Sequence, residues 1–244
     1  MRLNELSRKK VLRIVGIMNG TSIDGIDFVL CDVIRKNKDV SIRFVDQAAV
    51  SFDAEIQKNL RLACQNNLAV EDLATLHHDL GRVYRDQLKK ISKQKKWSFE
   101  AIGLHGQTVF HAPPKATLQI GEASYLSETF QVPVISDFRV ADLALKGQGA
   151  PIASLFHQIV YHRLMDHKRI SLHNLGGISN LSLINSKGVV EKAFDTGPAN
   201  MLIDLLIQKN TSGEFKYDKN GQWASRGIPA QTVVDHFLES DQYF

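Results

Sequence analysis

The sequence predicts an α/β protein built as two lobes, and three observations lead to that prediction. The chain opens with two apolar strands joined by a glycine-containing turn. Segments with helical apolar spacing then alternate with short apolar runs that end in polar residues. A second glycine-turn hairpin appears later as a loose repeat of the first. We therefore assign residues 1–140 to an N-terminal lobe and residues 141–244 to part of a C-terminal lobe.

Composition is that of a globular protein, with 43% hydrophobic and 23% charged residues in 244 and a formal net charge of +4. The basic excess is concentrated in runs at residues 8–10 and 89–96, which are typical of solvated helix faces. No aromatic residues alternate with these lysines, so we expect no nucleic-acid partner. Cys31 and Cys64 have no CxxC spacing, which argues against a disulfide framework or a zinc site.

No segment has the apolar length of a transmembrane helix, and we expect no membrane partner. The first apolar run, Val11–Met18, is too short and too strand-like for a signal peptide. These features lead us to expect a cytoplasmic protein.

The first hairpin has the residue types of a phosphate site. Its strands, Val11–Met18 and Phe28–Val33, flank a turn with two glycines, two hydroxyl side chains and two carboxylates: Gly20, Thr21, Ser22, Asp24, Gly25 and Asp27. Hydroxyls, backbone N–H groups and carboxylates suit a phosphate with its metal ion. The turn is not a Walker loop, because it has no lysine and returns into a strand. An ordinary glycine-rich hairpin with a capped turn is the alternative interpretation.

The next segments continue the N-terminal lobe. Residues 41–51 alternate as a third strand. Two helices follow, Asp53–Cys64 and Val70–Gln94, and in the second the apolar residues recur every three or four positions. Neither His77 nor His78 on this helix has a partner at metal-ligand spacing, so we expect no metal site there.

Three predicted strands then end in polar residues: Phe99–Thr108, Leu118–Glu122 and Pro133–Asp137. In open α/β sheets the ligand lies beyond the carboxyl ends of strands. The polar residues at these ends are therefore candidates for a pocket: His105, Gln107, Thr108, Glu122 and Asp137. A His-Gly turn satisfied by local hydrogen bonds is the alternative for the first of them.

The second half begins with a glycine-rich loop, residues 146–151, that follows Arg139 and Asp142. Pro151 is predicted to open a helix at its first position. The second hairpin has its turn at residues 174–180, and a further strand, Val189–Phe194, leads to a helix predicted to begin at Pro198.

Asp195 would then lie between a strand end and a helix N-terminus, where the helix dipole keeps a carboxylate ionised. It would be available to accept a proton or to bind a cation. A plain N-cap aspartate is the alternative. If the turns of the two hairpins face one another across a cleft, they would hold a polyphosphate from both sides.

Taken together, the chain resembles the anhydro-N-acetylmuramic acid kinase family, sugar kinases of the actin and hexokinase superfamily. Six motifs occur in the family's order: GIMNGTSIDGID (Gly16–Asp27), LHGQTVFH (Leu104–His111), LQIGE (Leu118–Glu122), SDFRVADLALKGQGAP (Ser136–Pro151), NLGGISN (Asn174–Asn180) and FDTGPAN (Phe194–Asn200). The resemblance implies an actin-like (ribonuclease H-like) two-lobe sugar kinase fold. It also implies that ATP phosphorylates anhydro-N-acetylmuramate while its 1,6-anhydro bond is hydrolysed, in peptidoglycan recycling.

The resemblance assigns roles residue by residue. The ATP phosphate loop would comprise Gly20, Thr21, Ser22, Ile23, Asp24, Gly25, Ile26 and Asp27, joined from the second hairpin by Asn174, Gly176 and Gly177. Asp195 would be the general base that activates water. The amino sugar would contact Gln107, Glu122, Asp137, Arg139 and Asp142, with Arg139 on the lactyl carboxylate. Asp24 and Asp27 are the candidate Mg²⁺ ligands, because hard cations prefer carboxylate oxygen.

The chain departs from the family pattern at three positions: Asn19 in place of serine, Lys146 in place of glycine and Ala199 in place of glycine. Chains of the family run further, so we expect the second lobe to be incomplete. The alternative function is therefore a truncated, non-catalytic member that binds a muramyl sugar or a partner chain. The resemblance implies a homodimer, and an incomplete lobe implies a complementing chain.

Overall fold

The computed structural model describes residues 3–6, 8–36, 39–161 and 168–240. Its contacts divide the chain into two compact units, Met1–Tyr161 and His162–Phe244. This boundary lies later in the chain than the division predicted after residue 140.

The first unit contains a five-stranded mixed sheet. Its strands are β1 (Val11–Met18), β2 (Gly25–Lys36), β3 (Asp39–Ser51), β4 (Ala101–Leu104) and β7 (Val134–Ile135), in the order β3-β2-β1-β4-β7. The β1–β2 and β2–β3 pairs are antiparallel, whereas β4 runs parallel to β1 and to β7. The predicted first hairpin, the third strand and the strand before Asp137 are confirmed.

The described part of the first unit also contains six helices. They are α1 (Leu3–Leu6), α2 (Ala54–Cys64), α3 (Val70–Lys95), α4 (Ser124–Phe130), α5 (Val140–Ala144) and α6 (Ala153–Tyr161). The buried face of α3 includes Leu76, Leu80, Tyr84 and Leu88, which join the strand residues of the core. Asp53 caps α2 by accepting a hydrogen bond from the backbone N–H of Ile56 at 2.8 Å. Both helices predicted over this region are confirmed.

The single strand predicted over Phe99–Thr108 is wrong. The chain breaks after β4, and Gln107 begins β5 (Gln107–Ala112), which pairs with β6 (Ala116–Ile120) in a separate two-stranded sheet. Gly106 causes the break: its φ is +72°, and a Cβ there would lie 2.7 Å from the carbonyl oxygen of Ile120. The strand predicted over Leu118–Glu122 corresponds to β6, which ends at Ile120, two residues before the carboxylate of Glu122.

The predicted start of α6 is also wrong. Pro151 lies two residues before the helix, which begins at Ala153, and a turn residue separates them. Pro151 therefore does not occupy the first helical position.

The second unit contains a three-stranded antiparallel sheet in the order β10-β9-β8. Its elements are β8 (Ile170–Leu175), β9 (Ile178–Ile184), β10 (Val190–Pro198), α7 (Asn200–Asn210) and α8 (Gln231–Ser240), with 3₁₀ turns at Lys219–Gly221 and Ala224–Arg226. The second hairpin is confirmed. Pro198 ends β10 and does not start α7, because β10 is an edge strand, where proline is tolerated. Among the described residues, no helix is long and apolar enough to cross a membrane.

Candidate functional site

The first hairpin forms a six-residue loop, and the predicted phosphate residues divide between the loop and a strand. β1 ends at Met18 and β2 begins at Gly25, so Gly25, Ile26 and Asp27 are strand residues. The side chains of Ile23 and Ile26 are buried in the core. Ile23 and Ile26 can therefore offer a ligand only their backbone groups. The side chains that are exposed are those of Thr21, Ser22, Asp24 and Asp27.

Gly25 has a packing role. A Cβ on this residue would lie 2.3 Å from the carbonyl oxygen of Val50 on β3, so only glycine allows the two strands to pair this closely. The glycine at the start of β2 therefore fixes where the loop leaves the sheet.

Two buried side-chain amides bond to the backbone at the two ends of this loop. Asn19 Nδ2 donates to the carbonyl oxygen of Gly25 at 3.2 Å, and Gln107 Nε2 donates to that of Gly20 at 3.3 Å. Both side chains are at most 2% exposed, and their amide oxygens have no partner in the described part of the chain. The sequence did not identify Asn19 as a site residue, although it stands directly before the loop glycine.

The two candidate carboxylates, Asp24 in the loop and Asp27 on β2, fit a phosphate-bound Mg²⁺ better than a metal held by protein alone. Ser22 Oγ donates to Asp24 Oδ1 at 2.7 Å, and Asp27 lies on the exposed side of β2. Over the described ranges, no group of three or more histidine, cysteine or acidic side chains is arranged to hold a metal ion. Mg²⁺ commonly takes one or two carboxylates and completes its shell with phosphate oxygens and water.

A cavity of about 240 Å³ lies in the first unit, close to the lower end of the volumes of ligand pockets. Its polar lining comes from four segments of the chain and includes His77, His105, Gln119, Glu122, Ser136 and Asp137. The cavity therefore combines predicted substrate residues Glu122 and Asp137 with a helix residue, His77, for which no site role was expected.

Glu122 is held as an ionised carboxylate. Its Oε1 accepts hydrogen bonds from Ser124, from the backbone N–H at 2.8 Å and from Oγ at 2.5 Å, and its Oε2 lies 3.1 Å from His77 Nε2. These bonds, those from Ser124 foremost, lower the pKa of Glu122 to about 2. The ionised carboxylate can therefore accept hydrogen bonds from hydroxyl or amide groups of a ligand in the cavity.

His105 is buried at the end of β4 and is bonded on both ring nitrogens. Its Nδ1 lies 2.8 Å from the carbonyl oxygen of Gly106, and its Nε2 lies 3.2 Å from Arg139 Nε. Because a guanidinium only donates, Nε2 is the acceptor and Nδ1 carries the hydrogen. Burial, and then the charge of Arg139, lower the pKa of His105 below its usual value.

Arg139 and Asp142 secure the glycine-rich loop that follows α5. Arg139 Nη1 donates to the carbonyl oxygen of Gly149 at 2.7 Å, and the backbone N–H of Gly149 donates to Asp142 Oδ2 at 2.6 Å. A Cβ on Gly147 would lie 2.1 Å from Asp142 Oδ2. In the described structure both predicted substrate residues make loop contacts and lie outside the cavity lining, so their assignment to the sugar stays a prediction.

In the second unit, the hairpin turn at Gly176 and Gly177 is tied to the start of α7. The carbonyl oxygen of Gly177 accepts from the backbone N–H of Ala199 at 2.9 Å, and that of Gly176 accepts from Asn200 at 3.0 Å. Asn174 lies in β8, opposite Asn180. The ATP contacts predicted for Asn174, Gly176 and Gly177 stay predictions.

Asp195 is exposed within β10, paired with Asn180 on β9, and a register shift follows it before Gly197. It is therefore not at the N-terminus of α7, where Ala199 is the N-cap residue. The helix-dipole argument for Asp195 and the alternative of an N-cap are both wrong, because the strand continues through Pro198. The catalytic role that the resemblance implies for Asp195 stays a prediction.

Comparison with known proteins gives one consistent result. The family profile described as anhydro-N-acetylmuramic acid kinase matches residues 12–244. Proteins named anhydro-N-acetylmuramic acid kinase are similar to this chain in Sulfurimonas denitrificans (34% identity over 94% of the chain), Caldanaerobacter subterraneus subsp. tengcongensis (33% over 100%) and Vibrio cholerae (34% over 94%). The chain spans 61%, 64% and 61% of the length of these three relatives.

Proposed function

Because this chain belongs to the anhydro-N-acetylmuramic acid kinase family, we propose that it phosphorylates 1,6-anhydro-N-acetylmuramic acid with ATP and opens the anhydro bridge with water. The product is N-acetylmuramate 6-phosphate, and the reaction belongs to peptidoglycan recycling in the cytoplasm. The observation that carries the proposal is the family match over residues 12–244, which includes all the segments that form the loop and the cavity.

The fold proposed for this reaction is actin-like, with two lobes. The sheet order β3-β2-β1-β4-β7 supports it, because an antiparallel three-stranded meander continues into parallel strands at one side. In such open sheets the ligand lies at the carboxyl ends of the parallel strands. β4 and β7 end next to His105 and Ser136, which line the cavity.

The loop after β1 is proposed to hold the ATP phosphates. Its exposed hydroxyls at Thr21 and Ser22 suit phosphate oxygens, and Asp24 and Asp27 would hold Mg²⁺. When bound, the ion neutralises charge on the transferred phosphoryl group. Gln107 would fix the loop through the carbonyl of Gly20.

The sugar is proposed to occupy the cavity beside Glu122 and Asp137. An ionised Glu122 accepts hydrogen bonds from hydroxyl groups, which a sugar supplies in number. Asp195 is proposed as the general base: it takes a proton from water as the water oxygen bonds to the anomeric carbon and the bond from that carbon to the 6-oxygen breaks. The released 6-oxygen then bonds to the γ-phosphorus, and ADP leaves.

A coupled ADP-release assay with 1,6-anhydro-N-acetylmuramic acid tests this proposal on the chain, on Asp195→Asn and on the control Asp204→Asn. The expected result is sugar-dependent ADP release that falls at least a hundredfold in Asp195→Asn and persists in the control, because general-base catalysis contributes about 10²–10⁴-fold. Sugar binding by calorimetry without ADP release in the parent would favour the non-catalytic alternative.

A further inference from the structure

Three contacts bind His77 on α3 to the two residues that lead into α4. The backbone N–H of Glu122 donates to the carbonyl oxygen of His77 at 3.0 Å. The backbone N–H of Gly121 donates to Nδ1 of the ring at 3.0 Å, and Nε2 lies 3.1 Å from Glu122 Oε2. One histidine therefore meets both a main-chain donor and a carboxylate of the cavity.

These contacts determine which ring nitrogen of His77 carries the hydrogen. A backbone N–H can only donate, so Nδ1 must accept the bond from Gly121. The neutral ring then carries its hydrogen on Nε2, where it donates to Glu122. The main-chain contacts therefore orient the histidine towards the carboxylate.

The helix and the segment after β6 are packed closely enough to keep this arrangement in place. A Cβ on Gly81, one helical turn after His77, would lie 2.5 Å from the carbonyl oxygen of Glu122. A Cβ on Gly121, whose φ is +124°, would lie 2.4 Å from the ring of Tyr84. Both positions therefore require glycine, and Tyr84 is fully buried beneath them.

The two oxygens of the Glu122 carboxylate are consequently held by two different residues. Ser124 donates twice to Oε1, and His77 donates to Oε2. Loss of the serine bonds would affect one oxygen only, and loss of the histidine bond would release the other. The orientation of the acceptor face towards the cavity depends on both.

We propose that His77 is a positioning residue of the sugar site, holding Glu122 so that its carboxylate accepts a hydrogen bond from a sugar hydroxyl. This inference rests on the proposed function, which places the sugar in the cavity. His77 acts through Glu122 and is not a catalytic residue. This positioning requires the N–H donor at Nε2 of His77, because Nδ1 already accepts the hydrogen bond from Gly121.

Two substitutions test the contributions of the two ring nitrogens separately. In His77→Asn the side-chain oxygen can accept from Gly121, but no group reaches Glu122. In His77→Gln the amide nitrogen can replace Nε2 as donor to Glu122, but the acceptor for Gly121 is lost. His78→Asn is the matched control, because the neighbouring exposed histidine bonds to Tyr125 Oη and does not line the cavity.

Calorimetric titration of the chain with 1,6-anhydro-N-acetylmuramic acid should show about tenfold weaker binding in His77→Asn, the loss expected for a hydrogen bond to a charged group. His77→Gln should keep the affinity within about threefold, and His78→Asn within about twofold of the parent. Equal losses in His77→Asn and His77→Gln would assign His77 to the support of Gly121 and overturn the proposal, as would unchanged binding in His77→Asn.

Nitrogen NMR on the ligand-free chain tests the same bond without reference to activity. The expected signals are those of a neutral ring protonated at Nε2, and a ring protonated at Nδ1 would contradict the inference. Carbon NMR should show the Glu122 carboxyl titrating at higher pH in His77→Asn than in His77→Gln, because only the glutamine keeps a hydrogen-bond donor to Oε2. If the parent does not bind the sugar, the proposed function fails, and these spectra still decide whether His77 positions Glu122.

Discussion

Arg139 donates a hydrogen bond from Nε to the ring nitrogen Nε2 of His105 across 3.2 Å. The acceptor nitrogen cannot be protonated while this bond exists, and the other ring nitrogen donates to the carbonyl oxygen of Gly106. The bond therefore depends on a neutral histidine beside a permanent cation. It joins the end of β4 to the residue that also holds the glycine-rich loop through Gly149.

This pair predicts a loss of stability in mild acid. The pKa of His105 is lowered in the folded protein, so the unfolded chain binds a proton at higher pH than the folded chain. The free energy of unfolding should fall as the pH drops below the ordinary histidine value of 6.5. Urea unfolding at pH 7.5 and 5.5 should show a smaller difference for His105→Gln, which does not titrate, than for the parent. An equal difference in both proteins would exclude His105 as the cause.

Asp32 predicts a second effect on stability. Its carboxylate is 1% exposed and lies across the strands between Arg13 on β1 and Arg43 on β3. The hydrogen bonds from Arg13 and then Arg43 lower its pKa to about 2. Asp32→Asn should lower the free energy of unfolding by about 2 kcal/mol at pH 7, the value of hydrogen bonds to a charged group, measured by urea unfolding.

The contribution of Asp32 to stability is lost in acid, like that of His105, but over a lower pH range. For Asp32 the contribution is complete above its ordinary pKa of 3.8 and disappears as the pH falls from 3.8 towards 2. Asp86→Asn is the control, because Asp86 is 59% exposed beside Arg85 and its removal should cost about 0.5 kcal/mol or less. Similar losses in the two variants would contradict the special role of Asp32.

Gly81→Ala should destabilise the protein although alanine favours helices by about 1 kcal/mol. The added Cβ would lie 2.5 Å from the carbonyl oxygen of Glu122 and 2.7 Å from the Tyr125 ring. A backbone oxygen can move away only if the segment that carries it moves as well. We expect a net loss of about 1–3 kcal/mol in urea unfolding. Gly103→Ala, whose nearest contact is an ordinary 3.6 Å to Phe138, should stay within about 0.5 kcal/mol of the parent. A stabilised Gly81→Ala would show that α3 is not tightly packed here.

Gln107 was predicted to contact the sugar, yet its amide nitrogen bonds to the carbonyl oxygen of Gly20 in the loop after β1. Gln107→Glu removes that donor and turns an acceptor towards the Gly20 carbonyl. The KM for ATP should rise about tenfold, with the affinity for the sugar unchanged. The same coupled assay with varied ATP, together with sugar calorimetry, separates the two roles. A weaker sugar complex at an unchanged KM for ATP would restore the original assignment.

The sequence predicted the parts of the fold that depend on local pattern. Apolar alternation correctly identified the strands β1 to β3, and the recurrence of apolar residues every three or four positions correctly identified the helices α2 and α3. It failed at His105 and Gly106, where a glycine with positive φ ends β4 inside the single strand predicted over Phe99–Thr108. It failed again at Pro198, since proline is equally acceptable at a helix start and on an edge strand.

The candidate site was predictable where it follows strand ends and not where it depends on distant pairs. Glu122 and Asp137 do line the cavity. His77 is 45 residues from Glu122, and neither its own helix nor its spacing indicates the bond. Asn19 and Gln107 hold the loop through backbone carbonyls, a contact that residue type alone does not reveal.

The identity of the product tests the proposed function most directly. Proton-coupled ³¹P NMR and mass spectrometry should be recorded after the chain has been incubated with ATP, Mg²⁺ and 1,6-anhydro-N-acetylmuramic acid. We predict a phosphomonoester on a primary carbon, split by two protons, in a sugar that has gained one water and has a free reducing end. Recovery of intact anhydro sugar, with the γ-phosphate retained on ATP or released as inorganic phosphate, would contradict the assignment.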